Sequence, residues 1–304
     1  MSAELVNLSN SLAQLTEHAS ASVVAIHTEA RGSSSGVVWR DGVIVTSEHA
    51  LRRDEEIQLT LPDGRVVGAT LVGRDPSTDL AVLKCPEVGN RAIESGDAST
   101  VKPGSLTLTV GRTRASGPVA ALGVVSLVVV ERRTWTGSSL APYIRLDAAL
   151  QPTAVGGAVV DVHGKIIGLA SPRFARFGAV AIPAATVNRV VETLQKKGRI
   201  PRGYLGVALQ PIRLPEHLRQ SLQHEEKTAA IILEVEPEGP AHKAGIVIGD
   251  ILVTLAGQSI ARPENVQPHL QAENIGKSLS ARIVRGGAVR DVSILVGDHA
   301  NGAE

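Results

Sequence analysis

From Val23 onward, glycine turns cut the chain into short β-branched runs, and that cadence confines it to antiparallel sheet. Val23 to His27 and Gly36 to Trp39 lead into Asp41-Gly42 and then Val43 to Thr46. Asp-Gly between two β-branched runs is the strongest short hairpin signal, because both residues tolerate the positive φ of a tight turn. Ile57 to Leu61 turns through Pro62-Asp63-Gly64 into Val66 to Val72, and Ala158 to Val162 turns through His163-Gly164 into Lys165 to Ala170. Further runs stand at Asp79 to Lys84, Leu106 to Val110, Leu122 to Val130, Tyr143 to Leu146 and Ala179 to Ile182. About a dozen short strands at this spacing predict a barrel or sandwich rather than a parallel sheet.

Helical spacing appears on either side of that stretch. Leu5, Leu8, Leu12 and Leu15 share one face between Ala3 and Leu15, and Val187, Val190, Val191 and Leu194 share another. Gly198 stands where a C-terminal cap belongs. Ile200-Pro201-Arg202-Gly203 reads as a linker, and the last hundred or so residues mix strands with a helical stretch near Glu264 to Gln271. A length of 304 residues suits about two domains, with the joint near residue 200.

Composition removes several functions. Lys plus Arg number 31 against 30 Asp plus Glu, a net charge of +1 that offers no broad grip on nucleic acid or anionic lipid. Only 2% of residues are aromatic, too few for base-stacking platforms. One cysteine, Cys85, forms no disulfide within the chain and no multi-cysteine metal site; it reads as a small buried residue. No apolar run reaches the length of about 18 residues that a transmembrane helix needs. Residues 1–16 lack the basic cluster of an export signal, so the sequence as it stands predicts a cytoplasmic protein. Neither a cofactor nor a metal is expected.

Several motifs fail on context. Gly32-Ser33-Ser34-Ser35-Gly36 has the nucleophile-elbow pattern, but a strand hairpin follows where a helix is required, so it reads as a flexible loop. Gly276-Lys277-Ser278 lacks the first glycine of a P-loop, and His224-Glu225 lacks the second histidine of a zinc motif, Thr228 standing there. Three segments remain. His49 lies just beyond a strand in Thr46-Ser47-Glu48-His49-Ala50-Leu51, Asp79 opens another in Asp75-Pro76-Ser77-Thr78-Asp79-Leu80-Ala81-Val82-Leu83-Lys84, and a turn-rich loop runs from Asp147 to Val160. Singly, His49 reads as a surface histidine and Asp79 as a strand-end cap. In this order they are far more specific.

Together they resemble the HtrA (Deg) family of trypsin-fold serine proteases with a C-terminal PDZ domain. Thr46 to Leu51 is similar to that family's Thr-Asn-x-His-Val-Val, and Asp75 to Lys84 to its Asp-x-x-x-Asp-Leu-Ala-Val-Leu-Lys. Asp147 to Val160 is similar to its Asp-Ala-Ala-Ile-Asn-Pro-Gly-Asn-Ser-Gly-Gly-Pro-Leu-Val. Gly203-Tyr204-Leu205-Gly206-Val207 resembles its carboxylate-binding loop, and Gly239 to Asp250 its Ser-Pro-Ala-x-x-Ala-Gly-Ile-x-x-Gly-Asp segment. The resemblance implies a mainly β chain: an N-terminal helical segment over 1–20, a trypsin-like double six-stranded β-barrel over 21–200, and an α+β PDZ domain over 201–304. It implies that Tyr204, Leu205, Gly206 and Val207 hold a peptide carboxylate, with Val266 and Leu270 lining the groove or serving as core. Family members usually work in the cell envelope as trimers joined through aromatic residues near the start of the protease domain. Here the first aromatic is Trp39.

The likeness breaks at the chemistry. His49 and Asp79 match the base and its orienter, but Val155 occupies the nucleophile position, with Thr153 and Ala154 before it and Gly156 after it. A serine protease attacks with a hydroxyl whose proton the histidine removes, and valine has none. Loss of the nucleophile alone costs about 10⁶-fold, roughly 8 kcal/mol of transition-state stabilisation. Thr153 in place of glycine predicts a distorted oxyanion loop as well. The expectation is an inactive protease fold that binds unfolded or C-terminal peptide segments of other proteins as a chaperone, adaptor or scaffold. The alternative is an active endopeptidase of protein quality control using another nucleophile, such as a Thr153 brought to His49 by a remodelled loop.

Overall fold

The protein's structure is a computed structural model that describes residues 3–28, 32–51, 57–115, 117–129, 132–133, 139–140, 142–173, 178–222 and 226–298. His224-Glu225 lies outside them. The chain divides into two units, residues 1–130 with 141–200, and residues 131–140 with 201–304.

In the first unit, helix α1 (Ala3–Ser20) precedes a closed barrel of β1 (Val23–Thr28), β2 (Gly32–Arg40), β3 (Val43–Ser47), β4 (Ile57–Thr60), β5 (Val66–Asp75) and β6 (Leu80–Lys84), ordered β1-β2-β3-β6-β5-β4. A second closed barrel uses β7 (Leu106–Thr113) and β8 (Gly117–Val129). After the two-stranded pair β9 (Arg132–Arg133) and β10 (Ser139–Leu140), it continues with β11 (Tyr143–Asp147), β12 (Ala158–Val160), β13 (Ile166–Ser171) and β14 (Ala179–Pro183). Its order is β11-β14-β13-β12-β7-β8, and helix α2 (Ala184–Lys197) closes the unit. All pairings within both barrels are antiparallel, as the hairpin cadence predicts. The three turn glycines Gly42, Gly64 and Gly164 have φ of 66°, 87° and 78°.

Each barrel has its own aliphatic interior, Val24, Ile26, Ile44, Leu59 and Leu83 in the first and Ile144, Leu146, Ile167 and Ala181 in the second. Val23, Val37, Val45 and Val82 meet Leu108, Val110, Val160 and Leu169 in a third cluster between the barrels, joined by Val187, Val190, Val191 and Leu194 of α2. Strands such as β3 and β14 are therefore buried on both faces and read as unbroken apolar runs rather than alternating ones. Gly198 caps α2 in the left-handed region at φ 68°, its N–H donating to Leu194 O at 2.8 Å. Cys85 is fully buried, and burial pushes its thiol up.

One local expectation needs correction. Gly32 to Gly36 is not a flexible loop: β2 begins at Gly32, and Ser35 is wholly buried. A Cβ on Gly36 would stand 2.8 Å from Ile44 Cγ2 and 3.0 Å from Ile26 Cδ1, so the glycine serves barrel packing rather than a mobile segment. The leucine face of α1 is only half used. Leu15 packs against the inter-barrel core, while Leu5 and Leu8 are 68% and 47% exposed.

The second unit carries β15 (Gly203–Tyr204), β16 (Val207–Arg213), α3 (Glu216–Leu222), β17 (Thr228–Val235), α4 (Pro240–Lys243), β18 (Ile251–Leu255) and β19 (Gln258–Ser259). Strands β20 (Ser278–Arg285), β21 (Ala288–Leu295) and β22 (Gly297–Asp298) complete it. Its sheet runs β16-β17-β18-β20-β21, with β19 on β18, while β15 pairs with β22. The stretch Pro263–Leu270 forms a 3₁₀ helix rather than an α-helix. Pro268 inside it has no N–H to donate, which disfavours α-helical hydrogen bonding.

Candidate active site

Barrel closure brings three distant segments to one place. His49 sits in the 3₁₀ turn Glu48–Ala50 that ends β3, and Asp79 immediately precedes β6, the strand paired with β3. Asp79 takes a φ of 56°, an uncommon conformation for a residue other than glycine. Hydrogen bonds hold it there. Its Oδ1 accepts from His49 Nδ1 at 2.8 Å and from the His49 backbone N–H at 3.0 Å, while its Oδ2 accepts from Ser47 Oγ at 2.6 Å and Ser171 Oγ at 2.5 Å. The carboxylate is fully buried, whereas the His49 side chain is 36% exposed. Burial works to raise the Asp79 carboxyl, but the bonds from His49, Ser171 and Ser47 outweigh it and hold the group below its usual range. Bonding to Asp79 lifts the His49 imidazole above its ordinary value against the opposing effect of burial. The pair is thus an oriented base with its outer nitrogen facing away from the carboxylate.

The loop that would carry the nucleophile lies against this pair. A Cβ on Gly156, at φ 77°, would stand 2.6 Å from Thr46 Oγ1 and 2.9 Å from Ser47 N, so only glycine fits beside the strand that ends at the histidine turn. The Gly156 N–H donates to Ala170 O at 2.8 Å, next to Ser171. Ser35 pins the same loop: its N–H donates to Val155 O at 2.8 Å, and its hydroxyl donates to Thr153 O at 2.6 Å while accepting the Arg112 N–H at 2.8 Å. Residues Pro152–Ala154 form a 3₁₀ turn in which the Val155 N–H donates to Pro152 O at 3.3 Å. An oxyanion hole of this class uses the nucleophile residue's own N–H. Here that donor closes a turn. Ala154 is buried, and Thr153 and Val155 are half-buried.

Ser35 and Ser47 lie within motifs that the sequence shows but have no role there, and Ser171 lies in none, because each acts through a partner that only strand pairing supplies. Glu48 and Arg173 were equally silent. Arg173 Nη1 lies 3.3 Å from Glu48 Oε2 and 4.0 Å from Asp79 Oδ1, and Arg74 Nη1 lies 3.6 Å from Glu48 Oε1.

In the second unit the segment Tyr204 to Val207 turns from β15 into β16. Gly206 has φ 72°, the Leu205 carbonyl accepts from Ala241 N at 2.8 Å, and the Gly206 carbonyl accepts from Glu236 N at 2.9 Å. Neither the Leu205 nor the Gly206 N–H has an acceptor among the described residues. Strand β16 is the edge of its sheet, and the 3₁₀ helix Pro263–Leu270 lies against β15 and β16. Val266 is buried in the core of this unit, and Leu270 packs on that core half-buried.

Two closed six-stranded barrels with a histidine–aspartate pair where they meet define a trypsin-fold peptidase class. Residues 34–169 match a profile described as a trypsin-like peptidase domain, and residues 203–296 match a PDZ domain. The chain belongs to the HtrA family. It is 30% identical over 279 residues to a probable periplasmic serine endoprotease, DegP-like, of Halomonas elongata, covering 90% of this chain and 58% of that protein. A similarly described protein of Brucella suis is 30% identical over 270 residues, with 86% and 52% covered. The chain thus spans little more than half the length of these relatives. Among solved structures, the HtrA-type protease AlgW with decapeptide superposes at a TM-score of 0.72 and 25% identity, covering 95% of this chain and 99% of that one. The serine endoprotease from Yersinia pestis gives 0.71 and 26%, with 94% and 97% covered.

Proposed function

We infer that this chain is a proteolytically silent HtrA-type protein that captures unfolded or C-terminal peptide segments through its PDZ domain, as a chaperone, adaptor or regulatory scaffold. One observation carries the reading: His49 and Asp79 form an ordered pair, while the residue that the resemblance aligns with the nucleophile is Val155. A base with no hydroxyl to deprotonate forms no acyl-enzyme. The Val155 N–H held in the 3₁₀ turn argues the same way, since an amide bonded to Pro152 O is not offered to an oxyanion. For capture, the two unengaged amides of Leu205 and Gly206 form a seat for a carboxylate, and the β16 edge offers a ladder for an added strand. A solved HtrA-type relative carries a decapeptide. The relatives' descriptions as periplasmic favour the cell envelope as the working compartment, and fractionation of expressing cells tests that placement.

The decisive experiment pairs two assays on the full chain. Peptides ending in an apolar residue should bind with micromolar affinity, about −8 kcal/mol, and C-terminal amidation should abolish binding. Casein should remain intact under the same conditions. Equal binding of acid and amide forms overturns carboxylate capture, and casein cleavage that depends on His49 favours the second reading. That reading is an endopeptidase using another nucleophile, and the retained hydrogen-bonded base is the observation in its favour.

A further inference from the structure

Resting on the reading of Tyr204 to Val207 as a carboxylate seat, we propose that the PDZ groove selects peptides whose penultimate residue is basic. The register follows from the seat. A carboxylate held by the Leu205 and Gly206 amides places the last peptide residue opposite Val207 and the penultimate residue opposite Ala208. Directly opposed residues in an antiparallel ladder share a face. Val207 packs toward the core, so the last side chain points inward, which suits an apolar residue. Ala208 is exposed on the outer face, and so is Glu234, its partner on β17.

Penultimate residue, Ala208 and Glu234 therefore form one row on the outer face. The two ends of that row are two strand spacings apart, about 10 Å, a gap that an extended Lys or Arg and a Glu span together. Ala208 leaves the path across the row open. A bulge at Ala208/Leu209 sets Leu233 outside the pairing and keeps Glu234 in register with Ala208. Glu236 adds to the effect: its Oε2 lies 3.2 Å from where a Cβ on Gly206 would stand, against the seat itself. Neither Glu234 nor Glu236 makes an ion pair among the described residues. A peptide carboxylate entering beside two unpaired glutamates meets like charge, and a cation one residue back offsets it.

The test measures binding of the full chain to fluorescent peptides that end in leucine and differ only in the penultimate residue, Arg, Ala or Glu. Arg should bind about two- to fivefold tighter than Ala, the size of an exposed ion pair, and about tenfold tighter than Glu. The spread should collapse in about 0.5 M sodium chloride, where the Debye length falls to about 4 Å. It should also collapse in the Glu234→Gln/Glu236→Gln variant, whose exposed substitutions leave the sheet intact by circular dichroism. Equal affinity for the three peptides, or an Arg preference that persists in the double variant, overturns this inference while leaving capture in place. If no peptide binds, or amidated peptides bind equally, the capture reading falls and this one falls with it.

Discussion

At the scale of single residues, the proposed reading leaves the His49–Asp79 pair with no hydroxyl to activate. Restoring the hydroxyl with Val155→Ser supplies what His49 and Asp79 are arranged to activate. That change alone leaves the 3₁₀ turn of Pro152–Ala154 with the Val155 N–H bonded inward. A misplaced oxyanion donor costs about 10²- to 10³-fold in rate. The triple variant Thr153→Gly, Ala154→Asn, Val155→Ser should therefore exceed Val155→Ser by at least about tenfold in kcat/KM on an unfolded substrate. Equal activity of the two would mean that the loop never limited the site. His49 also makes a pH prediction. Its folded-state value is raised, so the stability it contributes is fully present below the ordinary 6.5 and is lost as pH rises through the higher folded value. Asp79 is held down, so its contribution is present above its ordinary 3.8 and is lost as pH falls through the lower folded value. The melting-temperature advantage of the protein over a His49→Gln variant should be largest near pH 5 to 6 and should shrink toward pH 9, read by thermal scans across pH. A constant advantage would contradict the raised imidazole.

Elements show where close packing set the sequence. Helix α2 approaches β5 so nearly that a Cβ on Gly73 would stand 2.6 Å from Gly198 O and 2.8 Å from Leu194 Cδ2. Since the carbonyl cannot yield as a side-chain end can, Gly73→Ala should cost about 1–3 kcal/mol in urea unfolding. An unchanged midpoint would show that α2 shifts freely. Gly73 also marks the limit of reading this chain by eye. The turn glycines Gly42, Gly64 and Gly164 were legible because local conformation alone demands them. Gly73 and Gly36 were not, because what excludes a side chain there is a neighbour distant in sequence. The strands were visible for the same local reasons, and His49 and Asp79 through the motifs around them. Ser35, Ser47 and Ser171 became meaningful only when barrel closure brought them to Asp79 and the Thr153–Val155 loop. The helical stretch near Glu264 to Gln271 was legible, and Pro268 within it, which has no N–H to donate, accounts for its 3₁₀ form.

Across the whole molecule, each unit has its own core and its own device for holding a loop. In the PDZ unit that device is ionic. Asp250, fully buried, accepts from Arg285 Nε and Nη2 at 2.7 Å each and from the Val247 N–H at 2.9 Å, while Arg285 Nη2 also donates to Gly245 O at 2.7 Å. Asp250 is buried while Arg285 is 30% exposed, and losing the buried carboxylate that ties Arg285 to the Val247 N–H costs more than losing an exposed pair, which contributes little. Asp250→Asn should therefore lower the melting temperature more than Asp291→Asn, which breaks the exposed Arg282–Asp291 pair of the same sheet. Equal effects would contradict the role given to burial.

In the protease unit the corresponding device, the Ser35 clamp, holds a loop that ends in valine. The account turns on that valine, and intact-protein mass spectrometry after exposure to a fluorophosphonate tests it most directly, because such a reagent adds covalently to a hydroxyl that a histidine activates. The full chain should keep its unmodified mass while an active HtrA-type protease treated in parallel gains one adduct. One stoichiometric adduct on this chain, lost in His49→Gln, would contradict the silent-protease reading and identify the nucleophile by peptide mapping.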